Sequence, residues 1–241
     1  MIVVAGCRRY NVDQPVAKLS REPVTVHDDA RLKMIENQLR PNKVTDERVL
    51  DAFGRIRREL FVPAALRGVA YVDDDLPVGG GRSLMQPMVA ARLLQAAAVQ
   101  PKDAALLVGA GVGYEAAVLS LLARSVVALE ENPELARIGR SALVDHGIAS
   151  VSYVEASLAA GHRQRAPYDV ILFAGAAAEI PAEIEGQLAE GGRIAVVLRP
   201  HQGVGRATLI TRTGGVLAPR VIFDAGTPLL PGFDAKPGFV F

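Results

Sequence analysis

The residues whose types and spacing could do chemistry begin in the middle of the chain. Residues 106–114 read LLVGAGVGY, an apolar run that gives way to three alternating glycines, Gly109, Gly111 and Gly113. The pattern predicts a strand entering a tight turn that opens a helix. Residues without a Cβ accept unusual dihedrals there and let a ligand approach the backbone closely. An apolar helix over 115–123 and a short buried strand over 125–129, ending on Glu130, complete a βαβ unit. Glu130 lies 21 positions beyond Gly109, where such units present a carboxylate to ribose hydroxyls. The spacing is GxGxG and not the GxGxxG of dinucleotide sites, which tilts the expected cofactor from NAD to S-adenosylmethionine. Two plainer readings stay open on spacing alone: an ordinary glycine loop, and a Glu130 that only opens a solvated turn with Glu131.

Other chemistries find little to work with. His27, His146, His162 and His201 are scattered without ligand spacing and Cys7 stands alone, so no metal site is expected. Asp169 and His162 have no serine in a GxSxG elbow to complete a hydrolase triad. The chain has 241 residues, half of them hydrophobic, and a formal charge of +1. That composition suits one α/β core and gives no reason to expect nucleic acid or an anionic membrane as partner. No apolar run approaches the ~20 residues that span a bilayer. A single cysteine permits no intrachain disulfide, which suits a reducing compartment. The opening MIVVAGC resembles a lipoprotein cleavage site, but it lacks a basic segment and a full apolar core. A cytoplasmic location is the expectation.

The elements that must position these residues follow from periodicity. Residues 1–27 lack a clear period and read as an arm, to be ordered by packing or by a partner subunit, as in a homodimer. Leu32, Ile35 and Leu39 recur at helical spacing, so a helix begins near Asp28 and ends before Pro41. Thr45 is the expected cap of a second helix with Val49, Leu50, Phe53 and Ile56 on its inner face. The stretch YVDDDLPVGGGRSLMQP, residues 71–87, carries three aspartates and three glycines and predicts a mobile polar loop. Residues 170–173 form a strand whose carboxyl end, 174–178, is a loop of small residues. Ligands of open α/β sheets bind beyond such strand ends. A helix closes on the glycines of 187–192, and 193–198, 206–212 and 216–223 supply the last strands. In the tail, Leu229, Leu230, Phe233, Phe239 and Phe241 need burial.

Several segments then match one family in order: QLRPNKVTDERVLDAF, RELFVP with AYVDDDLPVGGG, VGAGVGYEAAVLSLL, VVALEENPEL, APYDVILFAGAAAEIP and QLAEGGRI. From about Gln38 to Arg193 the chain resembles the protein-L-isoaspartate O-methyltransferases. The resemblance implies a doubly wound, Rossmann-like class I methyltransferase sheet with an N-terminal helical cover and a final antiparallel hairpin. It implies S-adenosylmethionine as cofactor and isoaspartyl peptides or proteins as substrate, in protein repair. The implied organisation is an arm (1–27), a single methyltransferase domain (28–226) and a tail (227–241). Within the domain, 28–87 form the helical cover and acceptor loop, and 88–226 the core sheet. Gly109, Gly111, Gly113 and Glu130 fall on the implied cofactor site, and Glu155 and Ser157 stand where the family's Gly-Asp-Gly meets the adenine. Ser83 keeps the hydroxyl of the acceptor loop.

The chain departs from the family's pattern at Met85, where a serine positions the substrate carboxylate, and at Leu107, where an acidic residue precedes the first glycine. The departures keep two alternatives beside isoaspartyl methylation: the same fold with another carboxylate or small-molecule acceptor, and a non-catalytic S-adenosylmethionine-binding protein. An NAD-dependent oxidoreductase is a remote fourth.

Overall fold

The computed structural model describes residues 25–200 and 203–235. The expected arm, His201, Phe239 and Phe241 lie wholly or mostly outside the described residues. Helix α1 (Val26–Met34) starts at Thr25, whose hydroxyl and the Asp28 carboxylate cap each other's backbone, and it runs on as a π-helical turn over Ile35–Leu39. Helix α2 spans Glu47–Arg55 and is capped by Asp46 and not by Thr45. The carboxylate of Asp46 accepts from Arg48 N–H at 2.9 Å, while the backbone N–H of Thr45 is held by Gln95. Val49, Leu50, Phe53 and Ile56 are all buried, as expected.

The polar stretch over 71–87 folds as a hairpin and not as the expected loop. Strands β1 (Leu76–Gly79) and β2 (Arg82–Leu84) pair antiparallel around Gly80 and Gly81, both at positive φ. The aspartates fix its ends: Asp75 accepts from the Gln86 N–H and Asp73 from that of Met88.

Helix α3 (Pro87–Ala97) leads into a seven-stranded sheet: β3 (Ala104–Val108), β4 (Ser125–Glu130), β5 (Val151–Glu155), β6 (Tyr168–Ala177), β7 (Leu188–Leu198), β8 (Gly205–Thr213) and β9 (Val216–Ala225). Helices α4 (Tyr114–Ser120), α5 (Pro133–Asp145) and α6 (Ala182–Glu185) connect the parallel strands. Strand order is β5-β4-β3-β6-β7-β8-β9; the first five are parallel, and β8 and β9 form the antiparallel end expected from the sequence. The order reverses between β3 and β6, which makes their carboxyl ends the natural ligand crevice.

Two expectations about β6 and β7 fail for one reason, which is sheet pairing. Residues 174–177 are strand and not loop, with a register shift between Leu172 and Ala176. Residues 188–192 belong to β7; the helix before them ends at Glu185, and an irregularity lets 189–192 loop out with Gly191 at φ +72. Pairing along β6 overrides the local stop signal.

The sheet is covered unequally. Ala105 and Leu107 of β3 face the core that includes α2, α3 and α4, while Leu106 and Val108 face a second core. A parallel sheet needs both faces covered. On the second face α6 is one turn long, and Leu230 and Phe233 of the tail complete the cover. The Phe173 and Phe233 rings meet edge-on with centroids 5.5 Å apart. The tail is held by backbone bonds: Ala176 N–H donates to Pro228 at 2.8 Å, Leu230 N–H to Ala176 at 2.8 Å and Ala178 N–H to Phe233 at 2.9 Å. Among the described residues, no helix is long and apolar enough to cross a membrane.

Candidate functional site

The glycine turn lies at the carboxyl end of β3. Gly109, Gly111 and Gly113 take φ values of +79, +53 and +95, which residues with a Cβ rarely adopt. The backbone of Gly109 and Ala110 is tied to the end of β4 by two N–H bonds to the Leu129 carbonyl, at 3.0 and 2.9 Å. That pairing brings Glu130 to the mouth of the turn. Its carboxylate is fully buried and accepts from Gly111 N–H at 2.7 Å and from Asn132 N–H at 3.0 Å. A Cβ on Gly111 would find nothing nearer than the Gly109 carbonyl at 4.0 Å, so the turn opens on clear space at this point.

Sequence reasoning missed the residue that Glu130 holds. Arg82, on the hairpin strand β2, is 5 % exposed and its Nη1 lies 2.9 and 3.2 Å from the two Glu130 oxygens. Its Nη2 donates to the Gly109 carbonyl at 2.5 Å. Nothing in the spacing signals this pair, because 48 residues separate the partners. Leu230 completes the cover: a Cβ on Gly109 would lie 2.7 Å from both Arg82 Nη2 and Leu230 Cδ2, and one on Gly175 2.6 Å from Leu230 Cδ2.

Ser83 sits beside Arg82, half-buried, lining a small cavity with Gly175, Thr227 and Leu230. The cavity holds about 10 Å³, no more than one water's worth. Asp75 reaches the same wall: its Oδ1 accepts from Thr227 Oγ1 at 3.2 Å, and burial pushes its carboxyl above the usual value. Met85 is 2 % exposed with its side chain in the core, and its carbonyl accepts from buried Arg58 at 2.8 Å. Arg58 also holds the Ala70 carbonyl at 2.8 Å, so it pins the hairpin from behind. Leu107, also buried, points into the helix-side core.

Glu155 and Ser157 are placed differently from Glu130. Glu155 is adjacent to Glu130 in the β4–β5 register, but its exposed side chain pairs with Arg140 at 2.5 Å. Ser157 is exposed at the start of the turn over Leu158–Ala160. The structure thus brings the glycine turn, Glu130, Arg82, Ser83 and Leu230 to one crevice and leaves Glu155 and Ser157 facing outward at its edge.

This crevice sits in a recognisable chain. The sequence model of the protein-L-isoaspartate(D-aspartate) O-methyltransferase family matches residues 30–217. The chain belongs to this family. It is 38 % identical over 179 residues to a protein-L-isoaspartate O-methyltransferase of Methylorubrum populi, covering 73 % of this chain and 82 % of that protein. To the enzyme of the same name from Koribacter versatilis it is 42 % identical over 166 residues, 69 % of this chain and 75 % of the relative. A solved protein-L-isoaspartate O-methyltransferase superposes with a TM-score of 0.74 at 25 % identity, over 85 % of this chain and 67 % of the other. A Plasmodium falciparum structure described under the same name, in complex with S-adenosyl-L-homocysteine, gives 0.71 at 18 % identity, over 85 % of this chain and 97 % of that one, and supports the fold. Family membership favours neither the oxidoreductase nor the non-catalytic reading.

Proposed function

We propose that the protein transfers the methyl group of S-adenosylmethionine to the carboxylate of L-isoaspartyl residues in peptides and proteins. It does so as a repair enzyme of the cytoplasm, through a single domain over 28–226 with its tail folded back on it. One observation carries this reading: a fully buried Glu130 carboxylate at the mouth of the glycine turn, in the same crevice as the Ser83 hairpin. The residues fit the cofactor. Glu130 is fixed by two backbone N–H groups, so it is preorganised to take ribose hydroxyls, and the open side of Gly111 leaves room for a close approach. Gly109, Gly111, Gly113 and Glu130 form this binding set; Glu155 and Ser157, at its edge, are the proposed adenine-side contacts.

The cofactor supplies a methyl group activated by a sulfonium. The acceptor carboxylate has an ordinary pKa near 4 and is ionised at neutral pH, so the chain need supply no general base. With the cofactor bound, the acceptor carboxylate oxygen would bond to its methyl carbon as the carbon–sulfur bond broke and that bond's electron pair passed to sulfur, giving an ester and a neutral thioether with no proton moved. What the chain must do is position. Ser83 donates its hydroxyl to the acceptor carboxylate, and Arg58 behind Met85 holds the strand that carries Ser83 in place. The Met85 thioether, buried in the core, takes no part in this contact.

The test is transfer of labelled methyl from S-adenosylmethionine to an isoaspartyl peptide, with the normal aspartyl peptide as control. Transfer to the isoaspartyl peptide alone is expected; transfer to neither would overturn the reading.

A further inference from the structure

In this structure the chain itself occupies the crevice beside Glu130 and Gly109, while the side at Gly111 stays open. Arg82 occupies both oxygens of the carboxylate proposed for ribose, and Leu230 lies between Gly109 and Gly175 at the reversal of strand order. A ligand that takes Glu130 therefore has to displace the guanidinium. A ribose replaces it with neutral hydroxyls, and a nearly fully buried cation is left without its anion. Such a charge is costly until another anion reaches it. Arg82 is flanked by Ser83 and lines the same cavity, so the anion that arrives at Ser83 arrives at Arg82. In the proposed reaction that anion is the acceptor carboxylate.

We infer that Arg82 is the recognition residue for the acceptor carboxylate, and that Glu130 holds it in reserve until cofactor is bound. The inference rests on the function proposed above. It assigns the chain a carboxylate-binding group that the Ser83 hydroxyl alone does not supply, in a loop where Met85 offers none. A guanidinium presents paired donors that match a carboxylate. It also makes binding ordered, because cofactor frees the group that the acceptor needs. Methylation turns the carboxylate into a neutral ester, so Arg82 loses its partner on the product and returns to Glu130. Substrate and product are thereby told apart by charge.

The experiment measures S-adenosylhomocysteine affinity by calorimetry, and isoaspartyl-peptide affinity with and without S-adenosylhomocysteine, for the wild type, Arg82→Gln, Arg82→Lys and Leu230→Ala. In the wild type, the peptide should bind at least tenfold more tightly when S-adenosylhomocysteine is present. Arg82→Gln removes the competitor for Glu130 and should tighten S-adenosylhomocysteine about tenfold, while weakening the peptide about 10- to 100-fold, the range for a charged hydrogen-bonded contact. Arg82→Lys keeps the charge and, should the glutamine variant not fold, still decides the matter: its peptide affinity falls between wild type and loss. Leu230→Ala uncovers Gly109 and should tighten S-adenosylhomocysteine. A merely structural Arg82 would weaken both ligands together when substituted, and that result, or unchanged peptide affinity in both Arg82 variants, overturns the inference while the proposed function stands. Absence of S-adenosylhomocysteine binding from every protein, Leu230→Ala included, overturns the function and the inference with it.

Discussion

Asp75 and Thr227, 152 residues apart, share a hydrogen bond of 3.2 Å that joins the acceptor hairpin to the segment laid across the carboxyl end of β6. The bond makes the two walls of the crevice one mechanical unit. Burial raises the Asp75 carboxyl above its ordinary value of 3.8, with neighbouring Asp74 adding to the shift.

A raised folded-state pKa means that the protonated form favours the fold. That contribution is complete below the unfolded value and is lost as pH rises through the folded one. Asp75→Asn is neutral at every pH and keeps an acceptor for Gln86 N–H. Relative to wild type, its Tm should therefore rise as pH is raised from 4 to 7, as thermal melts at matched ionic strength would record. A Tm difference that is flat over this range would contradict the assignment.

Gly111 has a positive φ and an open side toward the crevice. A valine there is strained by about 1–2 kcal/mol and places its methyl groups where a ligand must approach. Gly111→Val is expected to remain folded with a lowered Tm and to lose calorimetric binding of S-adenosylhomocysteine. Retained binding at wild-type affinity would remove the turn from the site.

Ser83 lines the cavity, and among the described residues its hydroxyl makes no hydrogen bond to the glycine turn or to Glu130. Ser83→Ala should leave S-adenosylhomocysteine affinity unchanged and reduce kcat/KM for an isoaspartyl peptide about 10- to 100-fold, the worth of one hydrogen bond to a charged group. Equal kinetics in both proteins would take the hydroxyl out of the reaction.

The Arg82–Glu130 pair is buried, with side chains 4 % and 0 % exposed. Removing one partner strands the other, at a cost of about 3–5 kcal/mol, whereas replacing both is far cheaper. Glu130→Gln should thus be strongly destabilised in urea titrations, and Glu130→Gln combined with Arg82→Gln should regain most of the loss. Additive losses in the double variant would show that the two side chains are not coupled.

Local chemistry was legible in the sequence where it depends on neighbours along the chain. The glycine turn needs positive φ at alternate positions, and Glu130 follows at the length of one helix and one strand, so spacing pointed to both while leaving plainer readings open. The inner face of α2 was legible from periodicity, and the antiparallel end of the sheet from the resemblance to the family. What only the tertiary structure decided depends on packing between distant segments. Residues 188–192 carry a helix-stop signal, yet Leu188 pairs with Tyr168 of β6 and 189–192 loop out before pairing resumes at Arg193. Met85 reads as a lost hydroxyl, yet it is a core residue held through its carbonyl by Arg58. Arg82 carries no signal of its own in the sequence, and Leu230 reads only as a tail residue that needs burial. Both close the crevice, because a buried carboxylate demands a buried partner and a sheet face with one short helix demands a cover.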